Sequence, residues 1–297
     1  MTQSLGSLLR QKLQMRRGMI VPGAFCALAA RVIEDMEFEA IYVSGAGVAN
    51  GSLGVPDIGL VSLAELAQHT AAIRDAVQLP VVVDADTGFG NAVNVIHTVR
   101  TLERAGANAI QLEDQVMPKR CGHFKNKSVI SAKEMVQKIK AALDARGNED
   151  LLVIARTDVL ALEGVESAIE RALLYAEAGA DASFIEAPAT REQMSRIAES
   201  LRIPQVANMV VGGKTPILTA EELGAMGFGM VLYANAALQG AILGMQRALG
   251  ALRAQGVLGE DSGLVASFKE RQRLVQKERF DALESRFATD AVTRHEG

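Results

Sequence analysis

Residues 119–127 bring a thiol, an imidazole and four cationic side chains together in nine positions: Lys119, Arg120, Cys121, Gly122, His123, Lys125 and Lys127. A cysteine flanked by lysine, arginine and histidine can have a lowered pKa, which suits a proton donor or a nucleophile. Gly122 lets the backbone bend or approach a ligand closely. The chemical interpretation is a catalytic loop in which Cys121 has Lys119 and His123 beside it. The alternative is a solvated basic loop with an incidental cysteine.

Three carboxylates, Asp84, Asp86 and Glu113, directly follow apolar runs. They form an all-oxygen set without histidine, which suits a hard cation such as Mg²⁺ or Mn²⁺, whereas zinc favours nitrogen or sulfur. Asp57 can add a fourth carboxylate further from the ion. Because Mg²⁺ usually keeps several waters, only one or two of these carboxylates would bind it directly. The alternative interpretation is that these acids cap nearby helices.

Other polar residues also follow apolar runs abruptly. Arg156 offers a rigid fork of N–H donors that matches a substrate carboxylate. Asp114 and Asp158 are more simply interpreted as helix caps or ordinary loop residues. The remaining candidates for substrate binding are Ser44, Gly45, Ala46, Glu186 and Asn208. Because five apolar runs end this way, a functional site explains the pattern better than unrelated caps do.

These residues need a scaffold that brings the ends of many strands together. Apolar residues recur at helical spacing between the runs, for example from Val165 to Ala176, and a helix is predicted to begin at Ser131. The apolar runs themselves cover residues 19–21, 40–43, 81–83, 109–112, 152–155, 182–185, 205–207 and 230–232. This alternation predicts an α/β fold, a parallel (β/α)8 barrel of the TIM type with its chemistry at the carboxyl ends of the strands. A doubly wound sheet is the competing prediction.

The C-terminal region contains more helix than a barrel needs. Residues 234–287 hold two long helical patterns around a glycine-rich break at residues 256–263. We expect a single barrel domain over residues 1–297, with residues 234–287 as a helical extension and residues 288–297 as a flexible tail.

Composition narrows the class of protein. Hydrophobic residues make up 49% of the chain and charged residues 22%, and a net charge of −4 argues against a nucleic-acid-binding surface. The two cysteines, Cys26 and Cys121, provide no disulfide framework, so a reducing compartment is the simpler interpretation. We find no signal-peptide core and no apolar run of membrane-spanning length, and we therefore expect a cytoplasmic protein without membrane or nucleic-acid partners.

The Lys-Arg-Cys-Gly-His run at residues 119–123 resembles the catalytic loop of the isocitrate lyase and phosphoenolpyruvate mutase superfamily, in its C–C lyase branch. The resemblance extends from about Gly18 to Phe287. It implies a (β/α)8 barrel and a Mg²⁺ cofactor that Mn²⁺ could replace. It also implies a homo-oligomer, a tetramer built as a dimer of dimers, in which a C-terminal helix is swapped between subunits.

The resemblance also implies roles for individual residues. Residues 84–90 are similar to the metal-binding segment of the family, and residues 42–47 to the segment that cradles the substrate. Cys121 matches the catalytic cysteine, and Gly122 lies beside it at the substrate. The positions that match substrate-binding residues are Arg156, Glu186 and Asn208, together with Arg271 as an arginine supplied by the swapped helix.

The mechanism implied is cleavage of a 2-hydroxy acid next to its hydroxyl-bearing carbon. A base removes the hydroxyl proton, the adjacent C–C bond breaks, and Cys121 protonates the carbon that is released. Tyr42 and Lys119 are both candidates for the base, and the sequence does not choose between them.

The same resemblance bears on the substrate. Tricarboxylate lyases of the family carry an arginine on the helix after the eighth strand, where this chain has Gln239. The Gly-Gly-Lys-Thr-Pro run at residues 212–216 is more similar to the alkylmalate lyases, although Val211 departs from the glutamate usual there. We therefore expect a 2-hydroxy dicarboxylate, 2,3-dimethylmalate or a related 2-alkylmalate, to give pyruvate or another α-keto acid plus a carboxylate such as propionate. The alternatives are cleavage of 2-methylisocitrate to pyruvate and succinate, oxaloacetate hydrolysis, a phosphonomutase reaction, or a binding protein without catalysis.

Overall fold

The computed structural model describes residues 3–119 and 127–288 of the chain. The chain divides into two compact units, Met1–Gln239 and Gly240–Gly297. That the whole chain acts as a single domain stays a prediction.

The described part of the first unit contains one sheet of eight parallel strands. The strands are β1 Met19–Ala24, β2 Ile41–Val43, β3 Val81–Asp84, β4 Ala109–Glu113, β5 Leu152–Thr157, β6 Ala182–Ile185, β7 Val206–Asn208 and β8 Met230–Tyr233. Their spatial order is β6-β5-β4-β3-β2-β1-β8-β7, and a parallel bridge between Ser183 and Gln205 brings the two ends of the sheet together. The ring is therefore nearly closed, which confirms the predicted TIM-type barrel and excludes the doubly wound sheet.

Helices alternate with the strands as the apolar periodicity predicts. They are α1 Leu5–Gln14, α2 Ala27–Asp35, α3 Gly45–Val48, α4 Leu63–Ala76, α5 Ala92–Arg104, α6 Ala132–Ala145, α7 Leu160–Glu163, α8 Val165–Glu177, α9 Arg191–Ser200, α10 Ala220–Met226, α11 Ala236–Gln255, α12 Phe268–Leu274 and α13 Lys277–Phe287. The helix predicted to begin at Ser131 is α6, whose N-terminal amide at Glu134 donates to the Ser131 side chain. A π-helical turn, Ala49–Leu53, follows α3.

Alternate strand residues face opposite sides of the sheet, and both sides are buried. Tyr42, Val82 and Ala109 pack in the cluster that fills the barrel, whereas Val83 and Ile110 pack in the cluster between the sheet and the helices. Burial on both faces explains why the strands read as near-continuous apolar runs. Two residues further along the same face, Asp84 follows Val82 and Gln111 follows Ala109, so the interior face becomes polar toward the carboxyl end of the barrel.

Helix α1 covers the opposite end of the barrel. Leu9 and Leu13 are fully buried in the interior cluster, beside Met19 and Val21 near the start of β1. Burying a leucine side chain contributes roughly 2 kcal/mol before entropy is counted. Helix α1 therefore fills part of the barrel interior at the end where the strands begin.

The second unit is helical in its described part. The second of the two predicted helical patterns is interrupted, because Gln276 has φ of 57° and the chain leaves the right-handed helical region there. The structure therefore has two helices, α12 and α13, where the sequence pattern suggested one. Residues 289–297, most of the predicted tail, lie outside the described residues. In the part of the chain that the structure describes, no helix combines the length and apolar composition needed to cross a bilayer.

Candidate active site

Polar side chains line a cavity at the carboxyl ends of the strands. About 500 Å³ of space there is free of protein atoms, part of it open to solvent. The lining residues are Tyr42, Ser44, Ala46, Asp57, Asp84, Lys119, Arg156, Glu186, Asn208, Val210, Leu232, Ala234 and Asn235. The cavity thus brings together most of the described residues predicted for the site. Sequence reasoning missed the last four of the lining residues, three of which are apolar and carry no chemical signal.

Lys119 lies within the acidic part of this cavity. Its ammonium nitrogen is 2.6 Å from Asp57 Oδ1 and 2.7 Å from Asp86 Oδ1. Burial alone would lower the pKa of Lys119, but the surrounding carboxylates outweigh it and raise that pKa well above its ordinary value. Lys119 is therefore a fixed positive charge at neutral pH in this arrangement.

Arg156 is held by three carboxylates. Its guanidinium makes two hydrogen bonds to Asp158, of 2.9 and 3.2 Å, and lies 3.2 Å from Glu186 and 3.3 Å from Glu113. It also lies over the ring of Phe184, 5.0 Å from the centroid. Although burial would lower the pKa of Arg156, these carboxylates raise it, so the group stays charged.

Asp158 and Asp114 do not cap helices in the structure, contrary to the simpler sequence interpretation. Lys127 donates to Asp158 over 2.7 Å, and both side chains are buried. Burial would raise the pKa of Asp158, but the ion pairs with Arg156 and Lys127 outweigh it and lower the pKa to about 2. Asp114 accepts hydrogen bonds from Thr157, from Tyr175 and from the backbone N–H of Asp158. These two acids therefore fix the end of β5 that carries Arg156. The sequence did contain a signal for this pairing, because Asp158 comes two residues after Arg156, the spacing that places two side chains on the same face of an extended chain.

Asp84 is fixed by hydrogen bonds from three sides. Its Oδ1 accepts from Gln111 Nε2 and from the Asp86 backbone N–H, each at 3.2 Å, and its Oδ2 accepts from Gly45 N–H at 3.4 Å. Gly45 allows this close approach, because a Cβ there would lie 3.2 Å from Asp86 Oδ1, which would have to shift by a few tenths of an ångström, and 3.5 Å from Asp84 Oδ2. Gln111, which the sequence analysis did not single out, also accepts a hydrogen bond from the Tyr42 hydroxyl.

Both candidates for the base hold their protons in this structure. Burial, reinforced by the charge of Asp84, raises the pKa of Tyr42 well above its ordinary value. The pKa of Lys119 is raised as well, by its carboxylate neighbours. The geometry thus leaves the choice between them as open as the sequence does.

The acidic residues fit a divalent cation by charge and by chemistry. Glu113 Oε1 is buried and has no hydrogen-bond partner among the described residues. Burial, together with Asp158 and Asp86, raises the pKa of Glu113; burial and Asp84 raise that of Asp86 to about 7. Among the described residues around the cavity, carboxylates outnumber cations: Asp57, Asp84, Asp86, Glu113, Asp158 and Glu186 are accompanied by Lys119, Lys127 and Arg156. A hard cation would relieve this excess and displace the protons that the raised pKa values retain.

The carboxylates do not form a closed cage for an ion. Within residues 3–119 and 127–288, no three histidine, cysteine, aspartate or glutamate side chains converge as a ready-made metal site. A cation bound to one or two carboxylates, with water on its other positions, agrees with both observations.

A small recess adjoins the cavity and shares Val210, Ala234 and Asn235 with it. Its lining is completed by Met209, Val211, Tyr233, Ala236 and Gln239. None of these lining residues is charged. Gln239, at which the family's tricarboxylate lyases were expected to have an arginine, therefore does lie close to the site.

Three predicted residues, Gly45, Asp86 and Glu113, are not among the lining residues but contact Asp84, Lys119 and Arg156, respectively, which are. Four other predicted residues are not placed at the cavity. Cys121, Gly122 and His123 lie outside the described residues. Arg271 belongs to the second unit, on α12, where its guanidinium lies 5.1 Å from the ring centroid of Phe268. Their proposed roles stay predictions.

Comparison with known proteins agrees with the fold. The family model described as phosphoenolpyruvate phosphomutase matches residues 9–253. The chain is 43% identical to 2,3-dimethylmalate lyase of Eubacterium barkeri over 281 residues, covering 95% of this chain and 97% of the relative. It is 42% identical to 2-methylisocitrate lyase of Aeropyrum pernix over 293 residues, covering 98% and 94%.

Solved structures give the same assignment. A crystal structure of 2,3-dimethylmalate lyase, a member of the PEP mutase/isocitrate lyase superfamily, superposes with a TM-score of 0.91 at 31% identity, covering 100% of this chain and 99% of that one. Phosphonopyruvate hydrolase, solved in complex with oxalate and Mg²⁺, superposes with a TM-score of 0.86 at 32% identity, covering 96% and 99%. The chain therefore belongs to the phosphoenolpyruvate mutase/isocitrate lyase superfamily.

Proposed function

We propose that this protein is a divalent-metal-dependent carbon–carbon lyase that cleaves a 2-hydroxy dicarboxylate. The preferred substrate is 2,3-dimethylmalate or a related 2-alkylmalate, and the products are pyruvate or another α-keto acid and a carboxylate such as propionate. The similarity to 2,3-dimethylmalate lyase over nearly the whole chain supports this reaction class. The observation that carries the substrate preference is the recess at Gln239, whose described lining residues are all uncharged.

Asp84, Asp86 and Glu113 would hold Mg²⁺, or Mn²⁺ in its place, and Asp57 would add charge nearby. Two features of the described residues support this assignment: their excess of buried carboxylates over cations, and Glu113 Oε1, which has no hydrogen-bond partner among them. When bound, the cation would act as a Lewis acid that lowers the pKa of the substrate hydroxyl and stabilises the α-keto acid as it forms.

Substrate carboxylates would bind to Arg156 and to the backbone of Ser44, Gly45 and Ala46. Arg156 is suited to this role because its guanidinium is already oriented and two of its N–H groups lie outside its hydrogen bonds to Asp158 and its contact with Glu186. Asn208 donates to Glu186 at 3.3 and 3.4 Å, so both side chains are fixed where they would face the substrate.

The proton transfers require an acceptor and a donor. Tyr42 or Lys119 would first have to lose the proton that it holds in the present arrangement, and would then receive the hydroxyl proton as the C–C bond breaks. Cys121 would then protonate the carbon of the departing carboxylate. His123 and Gly122 would act beside it. A cytoplasmic location belongs to this proposal, since Cys121 must remain a free thiol to donate a proton.

The recess would accept an alkyl substituent more readily than a third carboxylate. A carboxylate placed there would meet no charge among the described lining residues, and an unpaired buried charge costs several kcal/mol. Arg271 of a neighbouring subunit is the further substrate contact in this proposal.

A homo-oligomer, and in particular a tetramer, is also proposed. Several large apolar side chains of α11 and α13 are exposed in the chain, among them Met245, Leu249, Phe280 and Phe287. Exposed large apolar side chains of this kind are covered in protein–protein interfaces where they form a continuous patch. Analytical ultracentrifugation tests the assembly, and a monomer at micromolar concentration would contradict it.

The reaction is tested with a panel of four substrates: 2,3-dimethylmalate, 2-methylisocitrate, isocitrate and oxaloacetate. Keto-acid release is measured with Mg²⁺ and with chelator. We expect the fastest cleavage with 2,3-dimethylmalate and none with chelator. Faster cleavage of 2-methylisocitrate at equal low concentration would instead support the alternative, a 2-methylisocitrate lyase reaction. The similarity to 2-methylisocitrate lyase of Aeropyrum pernix favours that alternative.

A further inference from the structure

Gln111 is a polar side chain within the otherwise apolar filling of the barrel. It lies on β4 between Ala109, which packs in the interior cluster, and Glu113 at the strand end, and it is fully buried. A buried amide must find hydrogen-bond partners or lose free energy on folding. Its two partners are Asp84 on the neighbouring strand β3 and Tyr42 on β2, one strand further.

The chemistry of these partners fixes the direction of both hydrogen bonds. An ionised carboxylate can only accept, so the group that Gln111 turns to Asp84 must be its NH₂. The amide oxygen therefore faces Tyr42, and the phenol must donate its proton to it. No other orientation of the amide satisfies both neighbours.

We propose that Gln111 is a positioning residue for the metal ligand Asp84 and, through the same amide, for Tyr42. This inference rests on the proposed function, because it takes Asp84 as a ligand of the divalent cation. By donating to Asp84 Oδ1, Gln111 leaves Oδ2, which faces Gly45 N–H at 3.4 Å, as the oxygen with the weaker hydrogen bond. By accepting from Tyr42, it leaves the lone pairs of the phenol oxygen available to accept a hydrogen bond from the substrate.

The test replaces Gln111 by methionine, which keeps the length of the side chain and removes both hydrogen-bonding groups. Mn²⁺ affinity is measured by electron paramagnetic resonance, and turnover is measured in parallel. Losing a partner that orients a metal ligand weakens metal affinity by about 10- to 100-fold, and we expect a loss in that range. Tyr42→Phe removes only the second hydrogen bond, so it should reduce turnover while leaving the Mn²⁺ affinity close to that of the wild type.

The matched control is Gln205→Met. Gln205 is also a buried glutamine near a strand of the barrel, but its amide donates to the backbone carbonyl of Ala198, away from the acidic residues. We expect this variant to bind Mn²⁺ as the wild type does. If Gln111→Met does not fold, as judged by circular dichroism, Gln111→Asn carries the same comparison, because an amide one methylene shorter cannot reach both partners.

The outcomes separate this inference from the reaction on which it rests. A folded Gln111 variant with wild-type Mn²⁺ affinity, or an equal loss in Gln205→Met, overturns the positioning role and leaves the proposed reaction standing. A wild-type protein that binds Mn²⁺ but cleaves none of the four hydroxy or keto acids overturns the proposed reaction, while the role of Gln111 toward Asp84 is still decided by the affinities. A wild-type protein that binds no Mn²⁺ overturns both.

Discussion

The ammonium of Lys119 and the carboxylate of Asp86 form a buried ion pair, 2.7 Å from nitrogen to oxygen, at the position where the sequence predicts a metal. Lys119 comes from the segment that follows β4, and Asp86 from the one that follows β3. The pair therefore joins the start of the predicted catalytic loop to the acidic cluster. It also means that a cation arriving at this cluster meets a positive charge already in place.

Lys119→Met should make the stability of the protein more dependent on metal. Without the Lys119 ammonium, Asp57 and Asp86 lose the cation with which both form ion pairs. Removing one partner of a buried ion pair costs about 3–5 kcal/mol. We expect the melting temperature without metal to fall, and the increase on adding Mn²⁺ to be larger in Lys119→Met than in the wild type. Differential scanning calorimetry with and without Mn²⁺ measures both. An increase smaller than that of the wild type would show that the ion does not bind beside these carboxylates.

Asp158→Asn should destabilise the protein in a pH-dependent way. The folded-state pKa of Asp158 is about 2, below its ordinary value of 3.8, so the stabilisation is present above about pH 4 and is lost as the pH falls through 2. The shift corresponds to about 2 kcal/mol. The unfolding free energies of wild type and variant, measured in urea, should therefore differ most near pH 7 and converge in acid. Asp144→Asn, at an exposed position on α6, is the control, and it should show no such convergence. A pH-independent difference for Asp158→Asn would contradict the ion-pair assignment.

Cys121→Ser should abolish most turnover without affecting metal binding. A hydroxyl is a far weaker acid than a thiol, and general acid–base catalysis contributes about 10²- to 10⁴-fold. The control is Cys26→Ser, which changes the other cysteine, the N-cap residue of α2, which is not among the residues that line the cavity. We expect kcat to fall in the first variant only. Near-normal kcat in Cys121→Ser would show that Cys121 is not the proton donor.

Gln239→Arg should shift the preference toward a tricarboxylate. The new guanidinium would enter an uncharged recess next to the cavity and pair with the additional carboxylate. Every ~1.4 kcal/mol changes kcat/KM tenfold, so the ratio of kcat/KM for 2-methylisocitrate to that for 2,3-dimethylmalate should rise by at least one order of magnitude. Gln246→Arg, at an exposed position of the same helix, should leave the ratio unchanged. An unchanged ratio in Gln239→Arg would show that the recess does not determine which substrate is preferred.

The barrel and the end of it that carries the site were predictable from the sequence. In parallel strands buried on both faces, the apolar run itself marks the strand, and the first polar residue after it marks the carboxyl end. Asp84, Glu113, Arg156, Glu186 and Asn208 all follow this rule, and each is one of the last two residues of its strand or the residue directly after it.

The residues behind the cavity were not predictable in the same way. Gln111 interrupts an apolar run without ending it, so it gave no signal of a strand end. Asp158 resembled a cap because a single chain shows only its neighbours in sequence, whereas its partner Lys127 lies 31 residues away. The apolar lining residues Val210 and Leu232 differ in no visible way from core residues, and only the three-dimensional arrangement exposes them to the cavity.

The contacts of Arg156 determine when its conformational freedom is lost. A free arginine side chain carries about 2 kcal/mol of rotational entropy. With Asp158, Glu186 and the ring of Phe184 around it, this entropy is lost when the chain folds and not when a ligand arrives. An anionic ligand therefore meets a stationary guanidinium that cannot follow it. A molecule whose carboxylate ends one bond length short of the guanidinium would lose the interaction. Arg156 would therefore select ligands by their length as well as by their charge.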